Sequence, residues 1–146
     1  MEQSTFEFNQ EIFYGEVGAW IGAPLIAFLA SKVLTSNAAV SISAVLGSVI
    51  GGALFWISTR IYHHKQKSKF KPSRLANDII YFTPIAAFLG WTIYNPTVYS
   101  ISHYLLNKGD KVIFSVVTSQ LIAFILFLIG INLYRFWLHK FSKKRL

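Results

Sequence analysis

The chain is patterned as long uncharged stretches, not as alternation at helical or strand periods. Residues 38–59 hold no charge over 22 positions, residues 79–107 over 29, and residues 112–134 over 23. Roughly 20 apolar residues in a helix cross the ~30 Å hydrocarbon core, so each stretch predicts a spanning helix. The first stretch is shorter. Glu16 and Lys32 enclose 15 uncharged positions, roughly 22 Å of helix at ~1.5 Å per residue. A lysine near a helix end snorkels to the surface, and Glu16 is expected near the opposite interface, so residues 13–33 also predict a span. Three spans with one interfacial helix is the alternative. The expected fold is all-α: an integral membrane four-helix bundle, a single membrane domain over residues 1–146. Hairpin one takes about 12–64, a basic cytoplasmic loop 65–77, hairpin two about 78–138 and a basic tail 139–146. The residues Thr35, Ser36 and Asn37 form a short link between the first two helices, and Asn107, Lys108, Gly109 and Asp110 supply a turn between the last two.

Composition agrees with this pattern. The 146 residues are 53% hydrophobic and 14% charged, against about 25% charged in soluble domains. The N-terminus carries Glu2, Glu7 and Glu11 and no Lys or Arg before Lys32, unlike the basic start of a secretory signal. There is no cysteine, so disulfides and thiolate metal sites are excluded.

The net charge of +8 changes the picture through its distribution. Eleven of the 14 Lys and Arg residues follow the second or fourth stretch: Arg60, Lys65, Lys67, Lys69, Lys71 and Arg74, then Arg135, Lys140, Lys143, Lys144 and Arg145. Only Lys32, Lys108 and Lys111 fall on the other face. Short loops rich in Lys and Arg stay in the cytoplasm, which predicts a multi-pass cell-membrane protein with both termini cytoplasmic. The basic clusters are then partners for membrane lipid headgroups, at about 1 kcal/mol per residue near an anionic leaflet. A nucleic-acid partner is not expected, since such a patch comes with more soluble sequence.

Two short words recur. Pro24-Leu25-Ile26-Ala27-Phe28-Leu29 matches Pro84-Ile85-Ala86-Ala87-Phe88-Leu89 at four of six positions. Arg60-Ile61-Tyr62-His63-His64-Lys65 parallels Arg135-Phe136-Trp137-Leu138-His139-Lys140. Together they suggest an internal repeat of two hairpins related by an axis along the membrane normal. On the second helix, Ala44, Ser48 and Gly52 recur every four residues, with Gly47 and Gly51 beside them. Small residues at that spacing let helix backbones approach in lipid, within one chain or between chains.

Candidate chemistry is sparse. Thr92, Asn95, Tyr99 and Ser102 fall at steps of three, four and three on the third helix and predict one polar face. That face reads either as an internal hydrogen-bonded seam or as a path for a polar headgroup. Pro96 predicts a kink there. Arg60 and Arg135, with Lys65 and Lys140 behind them, end two spans beside interfacial aromatics. They read as snorkelling anchors or as ligands for a lipid phosphate, which a guanidinium holds bidentately. The histidines His63, His64, His103 and His139 have no metal-site spacing around them. No paired-carboxylate site, nucleophile elbow or phosphate-binding loop is present, so neither an enzyme nor a cofactor is expected.

The fourth stretch ends Asn132-Leu133-Tyr134-Arg135-Phe136-Trp137-Leu138-His139-Lys140-Phe141 and the second ends Thr59-Arg60-Ile61-Tyr62. With four spans in two hairpins, these words resemble the GtrA-like membrane proteins, whose hairpins end in a word like Asn-Arg-x-Trp-x-Phe. Asparagine does not directly precede either arginine here, and Tyr62 stands where the family carries Trp. The resemblance implies translocation of a polyprenyl-phosphate-linked sugar, with the phosphate near Arg60 and Arg135 and the sugar passing Asn95. The rival expectation is a non-catalytic accessory subunit of a larger membrane complex, with partners of its own or a homo-oligomeric state. A small pore is a third, without the ring of acidic residues that would support it.

Overall fold

The structure is a computed structural model and describes residues 5–66 and 84–142. The basic loop's Lys67, Lys69, Lys71, Pro72, Arg74 and Asn77, and the tail residues 143–146, lie outside the described residues. The rest is helical apart from two turns, with no strand among the described residues. Helix α1 covers Thr5–Ser31, α2 Asn37–Gln66 and α4 Val112–Ser142. Helix α3 is described over residues 84–107 and is not regular. Residues 84–89 are α-helical, Gly90–Tyr94 form a π turn, and Asn95–Asn107 return to α-helix.

The helices alternate in direction and stand in the cyclic order α1, α2, α3, α4, with α4 returning against α1. Helices α1 and α3 are therefore diagonal partners. The α3–α4 turn is set by its sequence. The Asp110 N–H bonds the carbonyl of Leu105 at 3.2 Å and the Gly109 N–H that of Leu106 at 3.0 Å. This is the Schellman closure, in which the residue after the helix end takes a left-handed conformation; Gly109 does so at φ +89°.

Helices α1 and α2 approach one another closely through glycine. Gly18 and Gly22 on α1 face Gly51 and Gly47 on α2, so that a Cβ at Gly18 would collide with the Gly51 carbonyl and come within 2.6 Å of Phe55. A Cβ at Gly47 would come within 2.8 Å of the Ala23 Cα. Gly52 meets Gly15 and Ala19 one turn further, and Ala44 and Ser48 are buried in the same face. The small-residue stripe on α2 is thus used within one chain. Such contacts suit lipid, where close backbone packing drives helix association.

Burial is inverted relative to a water-soluble bundle. Leu25, Leu29, Leu46, Leu54, Leu133 and Trp91 stand on the outside, Trp91 72% exposed, while Glu11, Glu16, Asn95, Ser102, Ser119 and Gln120 are inside. An exterior this rich in large apolar side chains is consistent with a membrane protein, since polar side chains within a bilayer turn to the bundle interior. Three helical segments among the described residues are long and apolar enough to cross a membrane: Asn9–Ser31, Asn37–Tyr62 and Val112–Tyr134, with mean hydropathies of 1.5, 2.0 and 2.6.

Pro24 lies within α1, and Pro84 is the first described residue of α3. Arg60 and Arg135 both lie within about the last two described turns of α2 and α4. Glu16 is not a rim residue; it is 7% exposed inside the bundle.

Candidate functional site

The interior carries a column of polar side chains built from all four helices. At the end where α1 begins, the Asn132 amide donates to Asn9 Oδ1 at 3.1 Å and also to the Leu128 carbonyl. Beside it, Arg60 of α2 forms an ion pair with Glu11 of α1, both largely buried. The next layer inward is apolar: Ile12, Leu89 and Ile131 close on one another from α1, α3 and α4.

Beneath that layer lies the centre of the column. The Tyr94 hydroxyl donates to Glu16 Oε1 at 2.8 Å, a bond running between the diagonal helices α3 and α1. The Tyr94 ring packs edge-on to Phe127 of α4, with centroids 6.1 Å apart. Gln120, fully buried on α4, donates from Nε2 to the Ala19 carbonyl at 2.8 Å. Pro24 has no N–H for the neighbouring carbonyl of Trp20, so this turn of α1 is already one where the helix ladder is incomplete. Gln120 Oε1 and Ser115 Oγ are buried without a hydrogen-bond partner among the described residues.

The π turn explains why Tyr94 points inward. Pro96 lacks an N–H, and its ring crowds the carbonyl of Thr92, four residues back. The backbone widens instead of kinking alone: the Asn95 N–H bonds the Gly90 carbonyl, five residues back. One added residue per turn rotates what precedes it by about 100° relative to a regular helix. Tyr94 and Asn95 are consequently both buried.

The same rotation takes Thr92 off the expected polar face. Thr92 is exposed and bonds back to the Phe88 carbonyl at 2.6 Å. The other three remain inward: Asn95 and Ser102 are buried, Tyr99 is half-buried. Tyr99 stacks on His103 with centroids 5.6 Å apart and planes within 6°. His103 Nε2 lies 3.1 Å from the Asn107 amide nitrogen, and Asn107 Oδ1 accepts from Asn37 Nδ2 at 2.9 Å. That chain ties the two turns together at the far end of the bundle.

The phosphate candidates divide. Arg60 is engaged by Glu11. The side chains of Lys65, Arg135 and Lys140 lie outside the described residues, although their backbones continue α2 and α4. Glu16, Tyr94 and Gln120 were not singled out by sequence reasoning. Signals for two of them existed: Glu16 is an acidic residue flanked by Val17, Gly18 and Ala19, and Gln120 is a lone carboxamide among Val, Leu, Ile and Phe. Tyr94 had none, because its orientation depends on the π turn. Comparison with protein-family models, curated proteins and solved structures gives no match for this chain.

Proposed function

We propose that this chain is a small multi-pass membrane transport protein, in which a polar group crosses the bilayer by exchanging with the interior hydrogen bonds of the bundle. The observation that carries this reading is the central layer. A carboxyl, a phenol and a carboxamide from three helices meet inside a structure whose outside is apolar. Intramembrane ionisable residues of this kind mark substrate and ion pathways. Unpartnered oxygens on Gln120 and Ser115 give a passing donor somewhere to bond.

The cargo is a polyprenyl-phosphate-linked sugar in the cell membrane, and both termini of the chain are cytoplasmic. A phosphate would dock at the Arg135 end, and at Arg60 by exchanging with Glu11. The sugar hydroxyls would replace bonds at Glu16, Tyr94, Asn95 and Gln120. The assay uses purified protein in vesicles holding a fluorescent short-chain polyprenyl-phosphate sugar. Access of the probe to a membrane-impermeant quencher reads its passage between leaflets. Wild-type protein should accelerate passage over protein-free vesicles; equal rates would remove this cargo.

An accessory-subunit reading is favoured by one feature. The Glu11–Arg60, Asn9–Asn132 and Asn37–Asn107 bonds tie the helices to one another at both ends, as a rigid structural element requires. Purification in mild detergent separates the two. A subunit brings stoichiometric protein partners, while a transporter runs alone or as a homo-oligomer.

A further inference from the structure

We propose that Glu16 is a proton-binding site in the interior of the bundle. The residue is 7% exposed and sits on a helix segment long and apolar enough to cross a membrane. No cation lies within ion-pair distance of it among the described residues, where the one ion pair at that end joins Arg60 to Glu11. A carboxylate removed from water without a counter-charge is strongly unfavourable, and taking up a proton relieves it.

The groups that face Glu16 are uncharged, and no cluster of three His, Cys, Asp or Glu side chains that could hold a metal ion is found among the described residues. From α3 comes Tyr94, whose hydroxyl donates to Oε1. From α4 comes Gln120, whose Nε2 donates to the Ala19 carbonyl and whose Oε1 has no hydrogen-bond partner among the described residues. Helix α2 opposes this stretch of α1 with Gly51, Gly52, Phe55 and Trp56 and offers no titratable group there. On α1 itself the next charged residue is Glu11, bonded to Arg60 and separated from Glu16 by the apolar layer of Ile12, Leu89 and Ile131.

Proton uptake changes what holds the diagonal together. Ionised, Glu16 accepts from Tyr94. Protonated, the carboxyl becomes a donor itself and its bond to Tyr94 weakens, since a charge-assisted bond is roughly twice as strong as a neutral one. Loading the site thus loosens α3 from α1 at the π turn. The inference rests on the transport reading only for the use of the proton; binding is tested without any transport substrate.

The probe is a hydrophobic carbodiimide applied to the purified chain in neutral lipid vesicles across a pH series, with the modified peptide located by mass spectrometry. A protonated carboxyl adds across one C=N bond of the reagent, and acyl migration to nitrogen leaves a stable N-acylurea with no leaving group. Glu16 should carry the label, and its yield should fall about tenfold per pH unit beyond the midpoint, as loss of one proton requires. Infrared difference spectra between acid and alkaline vesicles supply a readout independent of reagent access. A protonated-carboxyl C=O band should titrate in wild type and vanish in Glu16→Gln. Absence of both signals at Glu16 would overturn the assignment, as would labelling independent of pH. Protection by sodium ions at constant pH would reassign the site to a metal cation.

Discussion

Tyr94 and Glu16 join helices that are diagonal in the bundle, through a hydroxyl-to-carboxylate bond of 2.8 Å at the level where α3 changes from π to α geometry. The bond braces the interior and depends on the irregular turn that aims the phenol. Tyr94→Phe keeps the ring against Phe127 and removes the hydroxyl that donates to Glu16. A buried acceptor left short of its partner costs about 1–3 kcal/mol. The thermal midpoint in detergent, followed by circular dichroism, should fall accordingly. An unchanged midpoint would show that the brace contributes nothing to stability.

The glycine contact between α1 and α2 gives a second expectation with its own control. At Gly51 a methyl group would enter the Gly18 backbone, whereas at Gly90 it would meet nothing within 4 Å. Overpacking of a tight contact costs about 1–3 kcal/mol, while Ala is the better helix former by ~1 kcal/mol. Gly51→Ala should destabilise the bundle; Gly90→Ala should leave it unchanged or slightly steadier. Equal midpoints for the two variants would mean that α1 and α2 do not approach as closely as described.

Helicity and three of the apolar stretches, on α1, α2 and α4, were legible in the sequence because a run of uncharged residues signals a long apolar helix without knowledge of neighbours. The stripe of Ala44, Gly47, Ser48, Gly51 and Gly52 was legible for a similar reason: spacing alone puts these residues on one face. Its partner was not, since Gly18 and Gly22 become its complement only when α1 folds back. The centre of the column was hidden by two effects. Glu16 was placed at a rim because charge near a helix end is ordinarily solvated, yet here α1 begins well before it, at Thr5. Thr92 was counted with Asn95 on a regular helical register, and the π turn shifts that register by one residue. Pro96 signalled an irregularity without giving its sense, because a kink and a widened turn both answer a missing N–H.

The ion pair of Arg60 with Glu11 makes a third test, of coupling instead of single losses. Both side chains are mostly buried, 13% and 5% exposed. Removing one partner of a buried pair leaves a charge without compensation and costs about 3–5 kcal/mol, whereas replacing both is far milder. Arg60→Gln and Glu11→Gln should each lower the thermal midpoint, and the double variant should recover much of the loss. Additive losses in the double-mutant cycle would mean that the two charges do not interact.

Arg135 bears on the cargo. Its backbone lies at the same end of the bundle as Arg60. Arg60 already has a carboxylate partner within the chain, so a lipid phosphate docking there must compete with Glu11. If phosphate recognition needs a planar, bidentate donor, lysine cannot substitute, because an ammonium is a point charge of different geometry. Arg135→Lys should therefore fold with the wild-type thermal midpoint and lose most of its acceleration in the vesicle assay. Glu11→Gln, which frees Arg60 from its carboxylate, should strengthen retention of the phosphate probe while weakening the bundle. Wild-type transport by Arg135→Lys would remove phosphate recognition from that residue and leave it as an anchor in the headgroup layer.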